Sequence, residues 1–185
     1  MNLPNKLTLL RIIAVPFFVV FLTLDMFAFN IQAAIALGIF VIASITDFLD
    51  GYIARKQNLV TTFGKFLDPL ADKILVVSAL ICFIPLGVAH PIAVIIIIIR
   101  EFMVSGLRLV TADKGVVVSA GIWGKIKTAF TMAAEIIILV FLITGMTFAM
   151  NIIANVLVWI CALLTVISGM VYLNGYKGYL KEGGA

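Results

Sequence analysis

Residues 31–55 read IQAAIALGIFVIASITDFLDGYIAR, a run with no charged residue before Asp47 that then ends in two aspartates, a glycine and an arginine. Such a run is long enough for a hydrocarbon core that takes roughly 20 helical residues. The acidic end therefore falls where a spanning helix leaves the membrane. Composition supports the same solvent: of 185 residues, 64% are hydrophobic and only 12% charged, against roughly 25% charged in a soluble domain. Mean hydropathy is +1.25. A chain this apolar needs lipid on its outside, and in lipid every backbone group must be satisfied within helices. The expected fold is an all-α integral membrane protein, and no nucleic-acid partner is expected.

Working outward from that run, six apolar segments are predicted to be transmembrane helices, at about 7–24, 31–54, 66–86, 91–110, 125–145 and 152–172. Short connections carry the breakers, among them Asp25, Asn30, Asn58, Gly64, Gly87, Pro91, Gly115 and Asn151. Residues 1–185 then form one transmembrane catalytic domain, with no internal repeat and no cleavage site after the basic N-terminus. Lys6 and Arg11 flank the first helix, Arg55, Lys56 and Lys65 the second loop, Arg108, Lys114, Lys125 and Lys127 the fourth, and Lys177 and Lys181 the tail. The odd-numbered loops have no Lys or Arg. By the positive-inside rule both termini and the even-numbered loops face the cytoplasm. His90 falls on the opposite side and reads as a loop residue. Cys82 and Cys161 have no partner at metal or redox spacing and read as small buried hydrophobes.

The opening stretch thus lies at the cytoplasmic end of the second helix. Asp47, Asp50 and Ala54 share one helical face, with Gly51 between them. The next helix begins GKFLDPLAD, which places Asp68 and Asp72 four apart and starts from the same side. Each aspartate alone reads equally well as an interfacial residue paired with a neighbouring cation. Four at matched spacing do not, because converging carboxylates raise one another's pKa and need positive charge between them. With no histidine or cysteine nearby, the donors are hard oxygens suited to Mg2+, Mn2+ or Ca2+. Two divalent ions sharing carboxylates use the set well and are suited to clamping a phosphoryl transfer. Gly51 leaves room for close approach, and Arg55 supplies a fork that recognises phosphate. The region reads as a metal-dependent pyrophosphate site at a membrane surface.

Asp47, Asp50, Gly51, Ala54, Arg55, Gly64, Asp68 and Asp72 match the signature D-x2-D-G-x2-A-R-x8-G-x3-D-x3-D, and on these residues the chain resembles the CDP-alcohol phosphotransferase family. PNKLTLLR at the start and REFMVSGLR in the fourth helix are similar to its bacterial phosphatidylglycerophosphate synthase branch. The resemblance implies a six-helix membrane homodimer, with its active site facing the cytoplasm of the plasma membrane and cleaving a CDP-linked lipid with release of CMP. Asp47, Asp50, Asp68 and Asp72 would hold two divalent cations, Mg2+ or Mn2+, with Asp72 also the general base. Asp50, Gly51, Ala54, Arg55 and Gly64 would line the site for the CDP-lipid. Asn5, Thr8 and Arg11, at helical spacing, read either as caps of the first helix or as one wall of that nucleotide pocket.

Residues outside the signature bear on the acceptor alcohol. Arg100 and Arg108 lie on nearly one face of the fourth helix, and Lys125 and Lys127 open the fifth from the same side. A guanidinium matches a phosphate monoester, so this basic surround favours an anionic acceptor over a neutral polyol. Glycerol 3-phosphate fits and agrees with the resemblance. The expected reaction takes CDP-diacylglycerol and glycerol 3-phosphate to phosphatidylglycerol phosphate and CMP among membrane lipids. The alternatives keep the chemistry with another acceptor, as in a cardiolipin synthase or a phosphatidylinositol phosphate synthase, or use the aspartates for divalent-cation transport. Lys125 and Lys127 read alternatively as snorkelling anchors, and Arg100 as a structural pair with Glu101. Lys73 is a candidate counter-charge for the carboxylates, and Glu135, mid-helix, is assigned no role.

Overall fold

The computed structural model describes residues 3–56, 62–113 and 121–181, with side chains over 6–47, 70–71, 73–107 and 121–175. These residues form six helices: α1 (Leu3–Thr23), α2 (Phe29–Lys56), α3 (Thr62–Phe83), α4 (Pro91–Asp113), α5 (Ile122–Thr144) and α6 (Phe148–Lys181). Several outrun the apolar segments at one or both ends. Backbone hydrogen bonding does not depend on side-chain polarity, so a helix continues through polar flanks until a turn residue stops it. Gly145, at φ +87°, ends α5, and Gly87, at φ +72°, turns the chain between α3 and α4. Both angles favour glycine. Pro91 opens α4, where its missing N–H has no helical acceptor to lose.

Packing order differs from chain order. α1 lies against α2 and α3, α2 against α5, α5 against α6, α6 against α4, and α4 in turn against α3, so contacts run round the bundle in a closed ring. Inside the ring Phe18 and Phe40 meet at 6.0 Å between centroids. Phe83, Ile97, Ile138 and Leu139 are fully buried in the same core. Large apolar side chains also point outward, including Phe17 on α1, Ile42 on α2, Ile95 and Phe102 on α4 and Leu163 on α6. Helices apolar both inside and outside belong in lipid. Among the described residues four segments are long and apolar enough to cross a membrane, Lys6–Thr23, Phe29–Asp47, Ile122–Thr144 and Phe148–Gly175. Among the described residues α3 offers the shorter apolar segment Lys73–Phe83, and its first half carries Lys65, Asp68 and Asp72 in sequence. α4 carries Arg100 and Glu101 at mid-length.

One polar contact ties the far end of the bundle together. The Gly87 carbonyl accepts hydrogen bonds from Asn151 Nδ2 at 3.1 Å and Asn155 Nδ2 at 3.0 Å. The turn after α3 is thereby fixed to α6, at the end opposite the signature aspartates.

Candidate functional site

On α2 the buried residues Ala33, Ala36, Phe40 and Ala43 form one inward stripe. At 3.6 residues per turn, positions 47, 50, 51 and 54 continue that stripe to the end of the helix. On α3 the buried residues Ala71, Leu75, Val76, Ala79 and Phe83 form another, and positions 68 and 72 lie at its centre in helical phase. α2 ends and α3 begins at the same end of the bundle, separated in sequence by residues 57–61. The aspartate positions therefore sit where the apolar interior gives way to polar residues on two successive helices.

Asp47 is the described carboxylate of the four. Its Oδ1 lies 2.6 Å from Arg11 Nη1, and the Asp47 side chain remains 37% exposed while Arg11 is 1% exposed. Arg11 Nε also donates to the Ala43 carbonyl at 3.2 Å. α1 thus reaches across to the last turns of α2 with a buried guanidinium that orients the first aspartate. Thr8, one turn before Arg11, is fully buried. The side chains of Asn5, Asp50, Gly51, Ala54, Arg55, Gly64, Asp68 and Asp72 lie outside those described, though their helices are. As a donor set, four carboxylates without nitrogen or sulfur fit hard divalent cations. Arg11 sets the direction of the Asp47 carboxylate.

The basic residues separate into two environments. Lys127 on α5 is buried, and its Nζ donates to Glu101 Oε1 at 2.6 Å. Arg100 Nη1 donates to the same oxygen at 2.9 Å, and Arg100 Nη2 donates to Ser168 Oγ of α6 at 2.5 Å. Ser105 Oγ caps the Glu101 carbonyl at 2.6 Å. Lys73, Glu101, Lys127, Thr128 and Thr131 line a cavity of about 20 Å³ between α3, α4 and α5. Arg100 lies on the other side of α4, in an apolar groove with Ile96, Met103, Gly169 and Met170. Gly169 makes room for it: a Cβ there would stand 3.1 Å from Arg100 Cγ. Lys125 is exposed, and the Arg108 side chain lies outside those described. Lys127 and Arg100 are therefore joined through Glu101 and do not share one cavity.

Sequence spacing pairs Glu101 only with its neighbour Arg100 and does not give its bond to Lys127 of α5. The signal was available in kind, since ionisable residues within membrane helices seek one another. The partner, 26 residues away, was not given by helical spacing. Lys127, Thr131 and Glu135 recur every fourth residue along α5 and are all buried, a polar stripe within an otherwise apolar bundle.

A family model described as CDP-alcohol phosphatidyltransferase matches residues 1–167, which include the whole aspartate signature. Among similar proteins, one from Bacillus subtilis is 45% identical over 186 residues, covering 94% of each chain. One from Rickettsia bellii is 43% identical, covering 96% of this chain and 97% of its own. One from Haemophilus influenzae is 40% identical, covering 98% and 96% respectively. All three bear the name CDP-diacylglycerol--glycerol-3-phosphate 3-phosphatidyltransferase.

Proposed function

The chain belongs to the CDP-alcohol phosphatidyltransferase family, and from that premise we propose that it transfers the phosphatidyl group of CDP-diacylglycerol to glycerol 3-phosphate, giving phosphatidylglycerol phosphate and CMP. The observation that carries this reading is the near full-length similarity to relatives of that name, at 40% to 45% identity. The polar geometry agrees with it. An anionic acceptor suits a bundle whose interior holds Lys127 and Arg100 beside α3 and α6.

In this reading the acceptor hydroxyl attacks the lipid-bearing phosphorus in line. The bond to the CMP oxygen breaks, CMP leaves, and the hydroxyl proton passes to Asp72. Asp47, Asp50, Asp68 and Asp72 would hold two divalent cations, Mg2+ or Mn2+, which would supply charge stabilisation to the phosphoryl transfer. Arg11 fixes Asp47 within that set. Asn5, Thr8, Asp50, Gly51, Ala54, Arg55 and Gly64 form the CDP-lipid site, where Arg55 meets the pyrophosphate. Arg108, Lys125 and Lys127 attract the acceptor phosphate, and Arg100, held by Glu101 and Ser168, adds charge from behind them. Holding both substrates in line accounts for much of the acceleration, since orientation alone is worth several kcal/mol.

We also propose that all six helices span the plasma membrane, with both termini and the aspartates on the cytoplasmic side, and that two copies associate as a homodimer. Basic residues confined to the even-numbered loops support the orientation. The acyl chains then remain in lipid while the headgroup enters from the side.

The test is CMP release from CDP-diacylglycerol by purified protein, with acceptors offered singly and with or without a chelator. Release with glycerol 3-phosphate, abolished by the chelator, is expected; release only with phosphatidylglycerol or inositol phosphate would transfer the reading to a sister activity. Asp68→Asn removes a ligand charge, and a fall of about 10²-fold or more in turnover is expected. Near-normal turnover in that variant would refute the two-metal assignment.

A further inference from the structure

Glu101 bonds two cations through a single oxygen, Lys127 from α5 at 2.6 Å and Arg100 at 2.9 Å. It is itself buried, as is Lys127. A lysine ammonium sits on a flexible four-carbon stem, and a buried cation keeps its charge only where an acceptor repays its lost hydration. Glu101 therefore pairs with the Lys127 ammonium and fixes where it points. Lys73 lines the same cavity from α3, one residue beyond Asp72. Three cations, Lys73, Arg100 and Lys127, thus surround one carboxylate beside the last signature position. At about 20 Å³ the cavity has room for about one water and none for an alcohol phosphate. The acceptor therefore does not enter this cavity, and the cluster serves the acceptor site as one of its walls.

We propose that Glu101 is a positioning residue for acceptor recognition: by clamping Lys127 at this wall, it presents a preset ammonium to a phosphomonoester acceptor approaching position 72. The inference rests on the phosphatidyl-transfer reading given above. Its selectivity comes from place: the dianionic acceptor phosphate meets this wall, whereas the anionic pyrophosphate of the donor meets Arg55 in the reading above. The clamp therefore acts on acceptor binding and leaves donor binding unchanged.

The experiment compares wild type with Glu101→Gln, Glu101→Asp, Lys127→Met and the Glu101→Gln/Lys127→Met double variant, purified in detergent and checked for a single folded species by size and thermal melting. For Glu101→Gln the KM for glycerol 3-phosphate is expected to rise about 10-fold or more, with kcat and the KM for CDP-diacylglycerol within about 2-fold of wild type. Glu101→Asp keeps the charge one methylene short of Lys127, so its KM for glycerol 3-phosphate should lie between the two. If Glu101 acts through Lys127, the double variant is no worse than Lys127→Met alone. A lowered melting temperature with an unshifted acceptor KM, or additive effects in the double variant, would overturn the proposal. Should Glu101→Gln not fold, Glu101→Asp decides, and a wild-type acceptor KM in it has the same consequence. Absence of CMP release by wild type with glycerol 3-phosphate would remove the functional reading and this inference together. Normal wild-type release with an unshifted Glu101→Gln removes the inference alone.

Discussion

Arg11 is among the largest fully buried side chains of the bundle, and its ion pair joins it to a carboxylate that water can still reach. That asymmetry makes the two halves of the pair unequal. Replacing Arg11 by Met removes the bonds to Asp47 and to the Ala43 carbonyl, and hydrogen bonds to charged groups contribute about 1.5–3 kcal/mol. The exposure of Asp47 keeps the loss near the lower end. Asp47→Asn instead withdraws the charge that balances a buried guanidinium, which is the more costly direction, by about a further 1–2 kcal/mol. The expected order of melting temperatures in detergent is wild type, then Arg11→Met, then Asp47→Asn; the reverse order would show that the buried guanidinium does not depend on Asp47. Sequence spacing placed Asn5, Thr8 and Arg11 on one helix but did not identify Asp47 as the partner of Arg11. The α1 to α2 contact that brings the pair together is set by packing of Phe18 on Phe40, a relation between helices that periodicity within one helix cannot encode.

At the scale of elements, α4 and α6 show how a polar residue is carried inside an apolar bundle. Arg100 crosses between them to Ser168, over Gly169, whose missing side chain leaves the guanidinium stem its path. An alanine at 169 meets Arg100 Cγ at 3.1 Å, a contact that a flexible stem can relieve. A leucine there cannot be accommodated without displacing Arg100 from both Ser168 and Glu101. Gly169→Ala is therefore expected to be nearly neutral, and Gly169→Leu to cost about 1–3 kcal/mol through overpacking. Thermal melts of the two variants check this, and equal melting temperatures would count against Arg100 as the occupant of that space. The helices themselves were legible in the sequence, since an apolar run of spanning length has few alternatives. Their ends were less so: α6 continues to Lys181, past the apolar run that stops near 172 and through Gly175 and Gly178, with no proline to end it. The aspartate stripes were legible for a physical reason as well. Positions 47, 50, 51 and 54 fall on the phase of the buried alanines before them, so helical periodicity alone assigns them to the inner face.

For the whole molecule the open quantity is how many helices cross the membrane, and the ring of packed helices bears on it. Among the described residues four segments meet the length and apolarity of a span, whereas α3 and α4 carry charged residues along their length. Yet α3 packs on α1, and α4 on α6. Those charges also have uses within a spanning bundle, because Glu101, Lys127 and Arg100 satisfy one another and the aspartates sit at the helix ends. Ionisable groups inside a membrane protein face the bundle interior in this way. Six spans and four spans differ at one accessible place, the turn before α4. With six, His90 lies outside while Lys125 lies in the cytoplasm; with four, the turn stays in the cytoplasm with Lys125. The native thiols Cys82 and Cys161 are both buried, so an introduced cysteine can be labelled over a low background. In intact cells a membrane-impermeant maleimide should label His90→Cys and should reach Lys125→Cys only after permeabilisation. Labelling of neither before permeabilisation, with both labelled after it, would leave α3 and α4 on the cytoplasmic side and reduce the membrane domain to α1, α2, α5 and α6.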